Sequence, residues 1–421
     1  MSRTILKELI RPYYLRWLYF PLFPARRPAH FLDSWKYPSV SPRQPGRNPD
    51  ILLLPMTDWH TRIQRTQHLA RAFAARGQRC FYLNPHLGRE FPTVYPATKS
   101  PQLRELEPHV FELHVHLPLE PVFHERLLSP AESSRIADSI LQILKQAGSA
   151  QMVQLVSFPT WTDVARRIRT QLRAPVVYDC HDVLSGFRNI APEIVAAEAD
   201  LFAESDLVVF SSELLQDEHS AQVKKASVLV RNAVGENLVN LGKTTNPGAS
   251  RVAGYIGALD FWFDVDAIEQ ATKLHPDWKF LLVGRVEDAR VLRLSSLPNV
   301  TFTGEVAHSE LPRLLAQFQV ALIPFLRNQL TLGTNPIKLY EYFSYGLPVV
   351  ATRLPELESF GSLVYLYEGA ADFGTQLERA MAESDRHLFS QRQKVAQGET
   401  WQIRAEQLDK AFAALPNRLG T

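Results

Sequence analysis

The sequence is poor in cysteine, and it lacks an apolar run of the roughly 20 residues that a membrane-spanning helix needs. Its two cysteines, Cys80 and Cys180, each end a predicted strand in a different part of the chain. A disulfide framework is therefore not indicated, and a reducing cytoplasm is the expected location. The N-terminus also lacks the basic start, apolar block and small-residue cleavage site of a secretory signal. We expect a protein that neither spans the membrane nor is exported by that route.

Several common catalytic motifs are missing too. The sequence has no Walker lysine loop, G-x-S-x-G elbow or G-x-G-x-x-G fingerprint, which argues against an NTPase, an esterase or a dehydrogenase.

Two patterns could suggest metal ligands. Asp264 and Asp266 form a D-x-D pair, but they stand at the start of a predicted helix, where Asp is a common capping residue. His114 and His116 share a strand face without a third metal ligand nearby. No metal site is predicted.

The composition is that of an ordinary globular protein. With 421 residues, 45% of them hydrophobic and 21% charged, the chain is long enough for two domains with separate cores. The formal net charge of +2 gives no indication of nucleic-acid binding, and we expect no nucleic-acid partner.

Residues 1–49 are predicted to form a basic and aromatic arm. Within them, residues 1–23 combine basic side chains with Leu, Trp and Phe, a mixture typical of a helix that lies in the lipid headgroup layer. This predicts peripheral contact with the inner face of the cytoplasmic membrane. The alternative is that Pro12 interrupts the helix and these residues pack on the protein's own surface or form a partner interface.

Short apolar runs alternate with helical patterns over residues 50–231, which is the rhythm of βαβ units. The seven candidate strands of this first domain are Ile51–Pro55, Cys80–Leu83, Val110–Val115, Met152–Val156, Pro175–Asp179, Leu207–Phe210 and Ser227–Val230. Residues 232–250 lose this periodicity and collect Gly, Asn and Pro, so they are predicted to be the interdomain linker.

A second domain is predicted over residues 251–385. Its six candidate strands are Val252–Ile256, Lys279–Val283, Val300–Phe302, Val320–Pro324, Val349–Ala351 and Leu363–Leu366. Residues 386–421 are helical in pattern. The predicted fold class is α/β, with two parallel sheets of the Rossmann type.

The segment 334–351 is the most informative of the sequence, because both ends of a helix can be recognised in it. Asn335 suits the N-cap and Pro336 the first helical position. Gly346 suits the left-handed position after the helix, and Pro348 prevents its continuation. With apolar runs on both sides, the segment predicts a strand, a loop, a capped helix and a further strand.

This helix start is a candidate anion site. Backbone N–H groups around Thr334 and Asn335, with Lys338 in the first turn, would attract a diphosphate. Glu341 stands one turn further along, where its carboxylate could accept hydrogen bonds from sugar hydroxyls. The residues predict a site for an anionic nucleotide.

The run TNPIKLYEYFSYGLPVVA resembles the donor-sugar signature of the GT-B glycosyltransferases of family 4, in which two Glu residues precede an A-x-G-x-P-V-V-A run. Glu341 matches the second Glu, whereas Gly333 stands at the position of the first, where the backbone of the loop TLGTN could contact the donor instead of a carboxylate. The resemblance implies two Rossmann-like domains that face a cleft, and a helix within residues 386–421 that crosses back to the first domain. It also implies a nucleotide-diphosphate sugar as donor substrate, retention, and no cofactor or metal.

The loop after the first strand carries W-x-x-R-x-Q-R-x-Q-H-L-A, which is similar to bacterial cell-surface polysaccharide glycosyltransferases of the teichuronic-acid type. By this resemblance Trp59, His60, Arg62 and Arg65 would contact the acceptor, and Trp59 could stack on a sugar ring. The alternative is that the arginines form a solvated helix face.

His181 and Asp182 are adjacent at the end of another strand. Neighbours on an extended segment point to opposite sides, so we expect one of them to face the cleft and no hydrogen bond between them. His181 could donate to a sugar hydroxyl, and Asp182 could bind the acceptor hydroxyl and act as a base if its pKa is raised. The alternative is a structural role for the histidine.

The Arg and Lys that hold the donor diphosphate in the resembled family are absent from the run YIGALDFWFD. Arg285, after the next strand, and Lys338 are candidates to replace them, since cations there stabilise a departing diphosphate. An ordinary surface arginine is the alternative for Arg285.

The predicted function is transfer of a sugar from a nucleotide-diphosphate sugar to a cell-surface glycan or lipid-linked acceptor, with His181, Asp182 and Glu341 at the reacting centre. Two alternatives stay open. Gly333 and the missing cations are also compatible with an inactive GT-B-like protein that binds glycan or recruits a partner, and a GT-B sugar epimerase would share the same donor site.

Overall fold

The computed structural model describes residues 48–60, 62–87, 102–117, 121, 124–149, 151–239 and 251–415. They form two α/β domains, each built on a parallel sheet, so the predicted fold class is confirmed. The prediction of membrane contact by residues 1–23 lies outside the described residues. In the described part of the chain, no helix has the length and apolar character needed to span a bilayer.

The first sheet has eight strands in the order β3-β4-β2-β1-β5-β6-β7-β8. All neighbours are parallel except β3 and β4, which are antiparallel at one edge. The strands are β1 Asp50–Leu54, β2 Cys80–Leu83, β3 Gln102–Glu107, β4 Val110–His114, β5 Met152–Val156, β6 Val176–Cys180, β7 Leu207–Phe210 and β8 Ala226–Leu229.

The central strands β1, β2, β5, β6 and β7 are buried at every position because helices cover both faces of the sheet. That burial explains their nearly continuous apolar sequences, which made them recognisable. β3 was missed, because its sequence QLRELE is largely polar and only Leu103 is fully buried at this sheet edge.

The α-helices of the described residues before residue 220 are α1 Arg65–Ala75, α2 Pro130–Gln146, α3 Thr162–Leu172, α4 Pro192–Glu204 and α5 Glu213–His219.

The second sheet is parallel throughout, in the order β11-β10-β9-β12-β13-β14. Numbered within the domain, this is 3-2-1-4-5-6, the order of dinucleotide-binding folds. The strands are β9 Val252–Ile256, β10 Lys279–Val283, β11 Val300–Gly304, β12 Val320–Ile323, β13 Val349–Thr352 and β14 Val364–Tyr367. All six predicted strands are present.

The α-helices from residue 236 onward are α6 Glu236–Val239, α7 Val265–Leu274, α8 Leu311–Leu315, α9 Gln329–Leu332, α10 Ile337–Ser344, α11 Pro355–Glu358, α12 Ala370–Met381, α13 Arg386–Gly398 and α14 Trp401–Ala413. Asp264 caps α7 by accepting a hydrogen bond from the Ala267 N–H, so the capping interpretation of the D-x-D pair is confirmed. Among the described residues, no three His, Cys, Asp or Glu side chains cluster as metal ligands would.

The last two helices pack on different domains. Helix α13 lies against α10 of the second domain. Helix α14 lies against α1, and its Trp401, Leu408 and Phe412 side chains complete an apolar core on one face of the first sheet. The chain therefore returns to the first domain at about residue 400, and α14 joins the two domains a second time.

Candidate functional site

A cleft of about 1400 Å³ separates the two domains at the carboxyl ends of their parallel strands. Its walls are the loops after β1 and β6 in the first domain and those after β9, β10, β11 and β12 in the second. Ligands of open α/β sheets bind at this edge, where the strand order reverses. The fold therefore places most of the candidate site residues of both domains around one cavity.

Helix α10 supplies Lys338 and Glu341 to the cleft. The Lys338 ammonium lies 5.5 Å from the centre of the Tyr255 ring and 4.8 Å from that of Phe325. Burial lowers the pKa of Lys338 to about 8, although the nearby Glu341 carboxylate opposes the shift. A cation with so little water around it interacts strongly with a bound anion. The Glu341 side chain is mostly buried, and its Oε1 lies 3.8 Å from Nε2 of His308.

The start of α10 differs from the prediction by one residue. Pro336, not Asn335, is the N-cap, and no side chain caps the helix. Asn335 is used between the domains instead, because its Oδ1 accepts a hydrogen bond from the Asn232 N–H at 2.9 Å. The Thr334 N–H is engaged as well, since it donates to the Thr331 carbonyl at 3.3 Å. The helix end is as expected: Gly346 has a positive φ of 66°.

Gly333 lies at a contact between the domains rather than among the residues that line the cleft. Its carbonyl accepts a hydrogen bond from the Ser212 hydroxyl at 2.8 Å. A Cβ at this position would be only 2.6 Å from Cγ2 of Val183. A residue with a side chain could be accommodated here only if Val183 moved, which explains why glycine occupies the position of the first Glu of the resembled family.

A buried polar network holds the two domains together beside the cleft. Asn232 of the first domain bonds Asn335 twice, at 2.9 and 2.6 Å. Glu356, also buried, accepts hydrogen bonds of 2.8 Å each from the Asn335 amide, the Arg231 guanidinium and the Glu213 N–H. Asn232 and Asn335 also line the cleft, so the network joins its two walls.

Arg65 lines the cleft, but its side chain is only 2% exposed. Nε donates to both carboxylate oxygens of Asp179, at 2.9 and 3.0 Å, and Nη1 donates to Oδ1 of Asn232 at 3.0 Å. Arg65 thus connects the end of β6 to the interdomain network, and its Nη2 amino group is buried without a partner among the described residues.

The other three residues of the same loop have different environments. Trp59 is 8% exposed and does not line the cleft; it packs edge-on against Tyr82, with the Arg71 guanidinium 4.7 Å from its ring centre. His60 lines the cleft, and its Nε2 lies 3.1 Å from the Glu112 carboxylate. Burial disfavours the charged imidazole, but the hydrogen bond to Glu112 and the negative charges of Glu112 and Asp58 together outweigh burial and raise the pKa of His60.

Arg62 and Arg285 meet at the mouth of the cleft from opposite domains. Glu287 lies between them, with Oε1 at 3.2 Å from Nη2 of Arg62 and 3.0 Å from Nε of Arg285. The Arg285 side chain is 62% exposed. Water therefore screens this cation far more than it screens Lys338.

His181 and Asp182 both line the cleft, although we expected only one of them to face it. The distance from His181 Nε2 to Asp182 Oδ2 is 3.7 Å, too long for a hydrogen bond, as expected. Nδ1 of His181 lies 2.9 Å from the Asp179 carbonyl oxygen, which can only accept, so Nδ1 carries the proton. Burial raises the pKa of Asp182, and the neighbouring His181 opposes that shift.

Three further cleft residues, His308, Arg188 and Phe261, were not predicted from the sequence. His308 follows β11, and its position after a strand could have identified it. Arg188 and Phe261 face each other across the cleft, with the guanidinium 4.4 Å from the ring centre. Nothing in the sequence indicates that pair, because it depends on the docking of the domains.

Comparison with known proteins agrees with this architecture. Residues 250–382 match the family described as "Glycosyl transferases group 1". The chain is 27% identical over 263 residues to a protein of Bacillus subtilis (strain 168) whose name describes it as a teichuronic acid biosynthesis glycosyltransferase, TuaH. The match covers 56% of this chain and 66% of that relative. The predicted resemblance to GT-B glycosyltransferases and to the teichuronic-acid type is confirmed.

Solved structures share the fold at low sequence identity. A sucrose-phosphate synthase from Thermosynechococcus elongatus superimposes with a TM-score of 0.69 at 15% identity, covering 88% of this chain and 99% of the other. Anabaena HepE in complex with UDP and glucose gives 0.62 at 16% identity, covering 87% and 100%. A trehalose-6-phosphate structure from E. coli bound with UDP-2-fluoro glucose gives 0.63 at 10% identity, also covering 87% and 100%. At these identities the likeness establishes the GT-B fold.

Proposed function

Because residues 250–382 match the group 1 glycosyl transferase family and the chain has a GT-B fold, we propose that the protein is a glycosyltransferase. It moves a sugar from a nucleotide-diphosphate sugar to a cell-surface glycan or lipid-linked acceptor, with retention and without a metal. The observation that carries the proposal is the pairing of Lys338 and Glu341, one turn apart on α10, in a cleft at the switch point of both sheets.

On the donor side, Lys338 faces the diphosphate and Glu341 accepts hydrogen bonds from sugar hydroxyls. Negative charge builds up on the departing diphosphate in the transition state, so a poorly hydrated ammonium stabilises that state more than it stabilises the bound donor. Backbone and side-chain groups of Thr334 and Asn335 complete this wall, and Arg285 assists from the mouth of the cleft. Gly333 contributes indirectly, by allowing the close domain contact.

On the acceptor side, His181 and Asp182 are proposed to lie at the reacting centre. The Nδ1 hydrogen bond of His181 fixes its ring, and Nε2 is then an acceptor for a sugar hydroxyl. The raised pKa of Asp182 brings its carboxylate closer to the range in which it can take a proton from the attacking hydroxyl. His60 and Arg62 contact the acceptor, and Trp59 and Arg65 hold the loop in place.

The test is calorimetric titration of UDP, GDP, dTDP, ADP and their common sugar conjugates, with EDTA present. We expect one nucleotide class to bind wild-type protein, and Glu341→Gln to weaken that binding or the turnover that follows it. Glu358→Gln is a matched control, because Glu358 is exposed on the same domain and does not line the cleft. Unchanged binding and turnover in Glu341→Gln would remove this residue from the site.

A second candidate is a protein that binds a nucleotide sugar or glycan without catalysis. Two observations favour it: glycine occupies the position of the first family Glu, and the run Tyr255–Asp264 lacks the family Arg and Lys. Donor binding without transfer or hydrolysis would support this candidate, and hydrolysis of the donor would contradict it. A product of unchanged mass formed from the donor alone would instead identify an epimerase.

A further inference from the structure

A second cavity, of about 520 Å³, opens from the side of the cleft. The first domain contributes Ser185, Gly186 and Arg188 to it, and the second contributes Phe261, Arg290 and the run 326–330. Arg188, Phe261 and Leu330 line both cavities, so the two spaces are adjacent. A molecule that reacts in the cleft could therefore extend into this side cavity.

The side cavity is positively charged. Its lining residues include three arginines, Arg188, Arg290 and Arg327, and no acidic residue. Asp288 lies outside this lining; its carboxylate accepts hydrogen bonds from Nε and Nη2 of Arg290 at 3.0 to 3.1 Å, and Nη1 of Arg188 is 3.9 Å away. Arg327 makes no hydrogen bond or ion pair with any residue of the described chain. Asp288 is thus shared by Arg188 and Arg290, and the Arg327 guanidinium remains available to bind a ligand.

The same cavity has an aromatic wall. The rings of Phe261 and Trp262 pack edge-on with their centres 5.0 Å apart, and the Arg188 guanidinium lies over the Phe261 ring. Both aromatic residues belong to the run Tyr255–Asp264, in which the resembled family carries the Arg and Lys that hold the diphosphate. In this chain the loop presents an apolar ring beside arginines, and this combination suits a sugar that carries a negative charge.

We propose that the side cavity binds an anionic group of the acceptor, either the carboxylate of a uronate or the phosphate of a lipid-linked sugar. The inference rests on the proposed function, because it assigns the acceptor to the space next to the donor site. Guanidinium groups bind both kinds of oxyanion through paired hydrogen bonds. Arg327 is the principal ligand, Arg188 the second, and Phe261 the platform for the sugar ring.

The test compares the binding of three probes to the full chain: a disaccharide with a terminal glucuronate, the methyl ester of the same disaccharide, and a sugar 1-phosphate. We expect the acidic disaccharide to bind about fivefold more tightly than its neutral ester, a difference that falls as salt is added. Arg327→Gln should abolish this preference, and Arg188→Gln should reduce it. Arg386→Gln is the matched control, because Arg386 is an exposed arginine of the second domain outside both cavities.

The two acidic probes distinguish the sources of the anion: tighter binding of the glucuronate supports a uronate, and tighter binding of the sugar phosphate supports a lipid-linked phosphate. Equal binding of acid and ester, or a preference that persists in the Arg188→Gln/Arg327→Gln double variant, would overturn the proposal. Nucleotide titrations of the same preparations separate the two hypotheses. Wild-type protein that binds a nucleotide but does not distinguish acid from ester refutes only the side cavity, whereas the absence of nucleotide binding refutes the donor site.

Discussion

The two walls of the cleft use their polar residues in opposite ways. On the second domain, α10 directs Lys338 and Glu341 into the cavity. On the first domain, the loop before α1 is richer in polar residues, yet Arg65 is engaged with Asp179 and Asn232, and Trp59 is packed on Tyr82. A position after a strand therefore does not by itself make a residue a ligand.

The difference lies in the partners that each side chain finds within the protein. A guanidinium that is buried needs a carboxylate or several acceptors, because its desolvation is costly. Asp179 at the end of β6 and Asn232 meet that need for Arg65. Lys338 has aromatic rings around its ammonium instead, which hold the cation but leave its hydrogen bonds for a ligand.

The largest expected effect is on the first-domain wall. Arg65→Ala should lower the free energy of unfolding by about 3 to 5 kcal/mol, because it leaves the Asp179 carboxylate buried without its cation. Arg62→Ala is the control in the same loop, and it should cost less than about 1 kcal/mol, since its pair with Glu287 is partly exposed. Denaturant titration measures both. Equal losses of unfolding free energy in the two variants would show that the buried pair of Arg65 and Asp179 stabilises the fold no more than the exposed pair of Arg62 and Glu287.

Substitutions on the second-domain wall should change nucleotide affinity rather than the stability of the fold. Lys338→Met keeps the apolar stem but removes the charge, so it should weaken nucleotide binding by about 1.5 to 3 kcal/mol and leave the fold intact. Arg285→Gln should weaken it by less than about 1 kcal/mol, because this arginine is exposed and already paired with Glu287. Calorimetry with the preferred nucleotide gives both values. A larger loss for Arg285→Gln would make that residue the main phosphate ligand.

The contact between the walls can be tested at Gly333. Gly333→Ala should destabilise the protein by about 1 to 3 kcal/mol, because the new methyl group would overlap Cγ2 of Val183. The additional change Val183→Ala removes the overlapping atom and should restore part of the loss. Thermal unfolding of the single and double variants is the measurement. If the double variant is no more stable than Gly333→Ala, the contact with Val183 is not the cause.

Much of the fold could be predicted from the sequence, because most strands are buried on both faces and therefore appear as continuous apolar runs. Helix α10 was recognised for a similar local reason: Gly346 and Pro348 mark its end. The misplaced N-cap at Asn335 and the unexpected burial of Arg65 have one cause, since both residues are engaged by Asn232, which is distant in sequence. Contacts that form only when two domains dock leave no local signal.

The charge of Lys338 also gives the donor wall a pH dependence. The ammonium attracts a diphosphate and the neutral amine does not, so affinity should be highest below the pKa of about 8 and fall as the pH rises through it. The slope should not exceed about tenfold per pH unit, and the higher pKa of the ammonium in the complex sets the pH at which the decline levels off. Calorimetry with a nucleotide sugar between about pH 7 and about pH 9 measures it. Lys338→Met should bind independently of pH over this range, and a slope that survives would belong to another group.

The smallest expected effect concerns Trp59, where the two interpretations of the first-domain loop differ most. If the ring stacked on an acceptor sugar, Trp59→Phe would raise the acceptor KM, because aromatic stacking contributes about 0.5 to 1.5 kcal/mol. Its edge-on packing against Tyr82, under the Arg71 guanidinium, instead predicts an acceptor KM within about twofold of wild type and only a modest loss of stability. Steady-state kinetics at saturating donor separates these outcomes. His60→Gln is the positive comparison, because His60 lines the cleft from the same loop and its loss should change the acceptor KM more than the loss of Trp59 does.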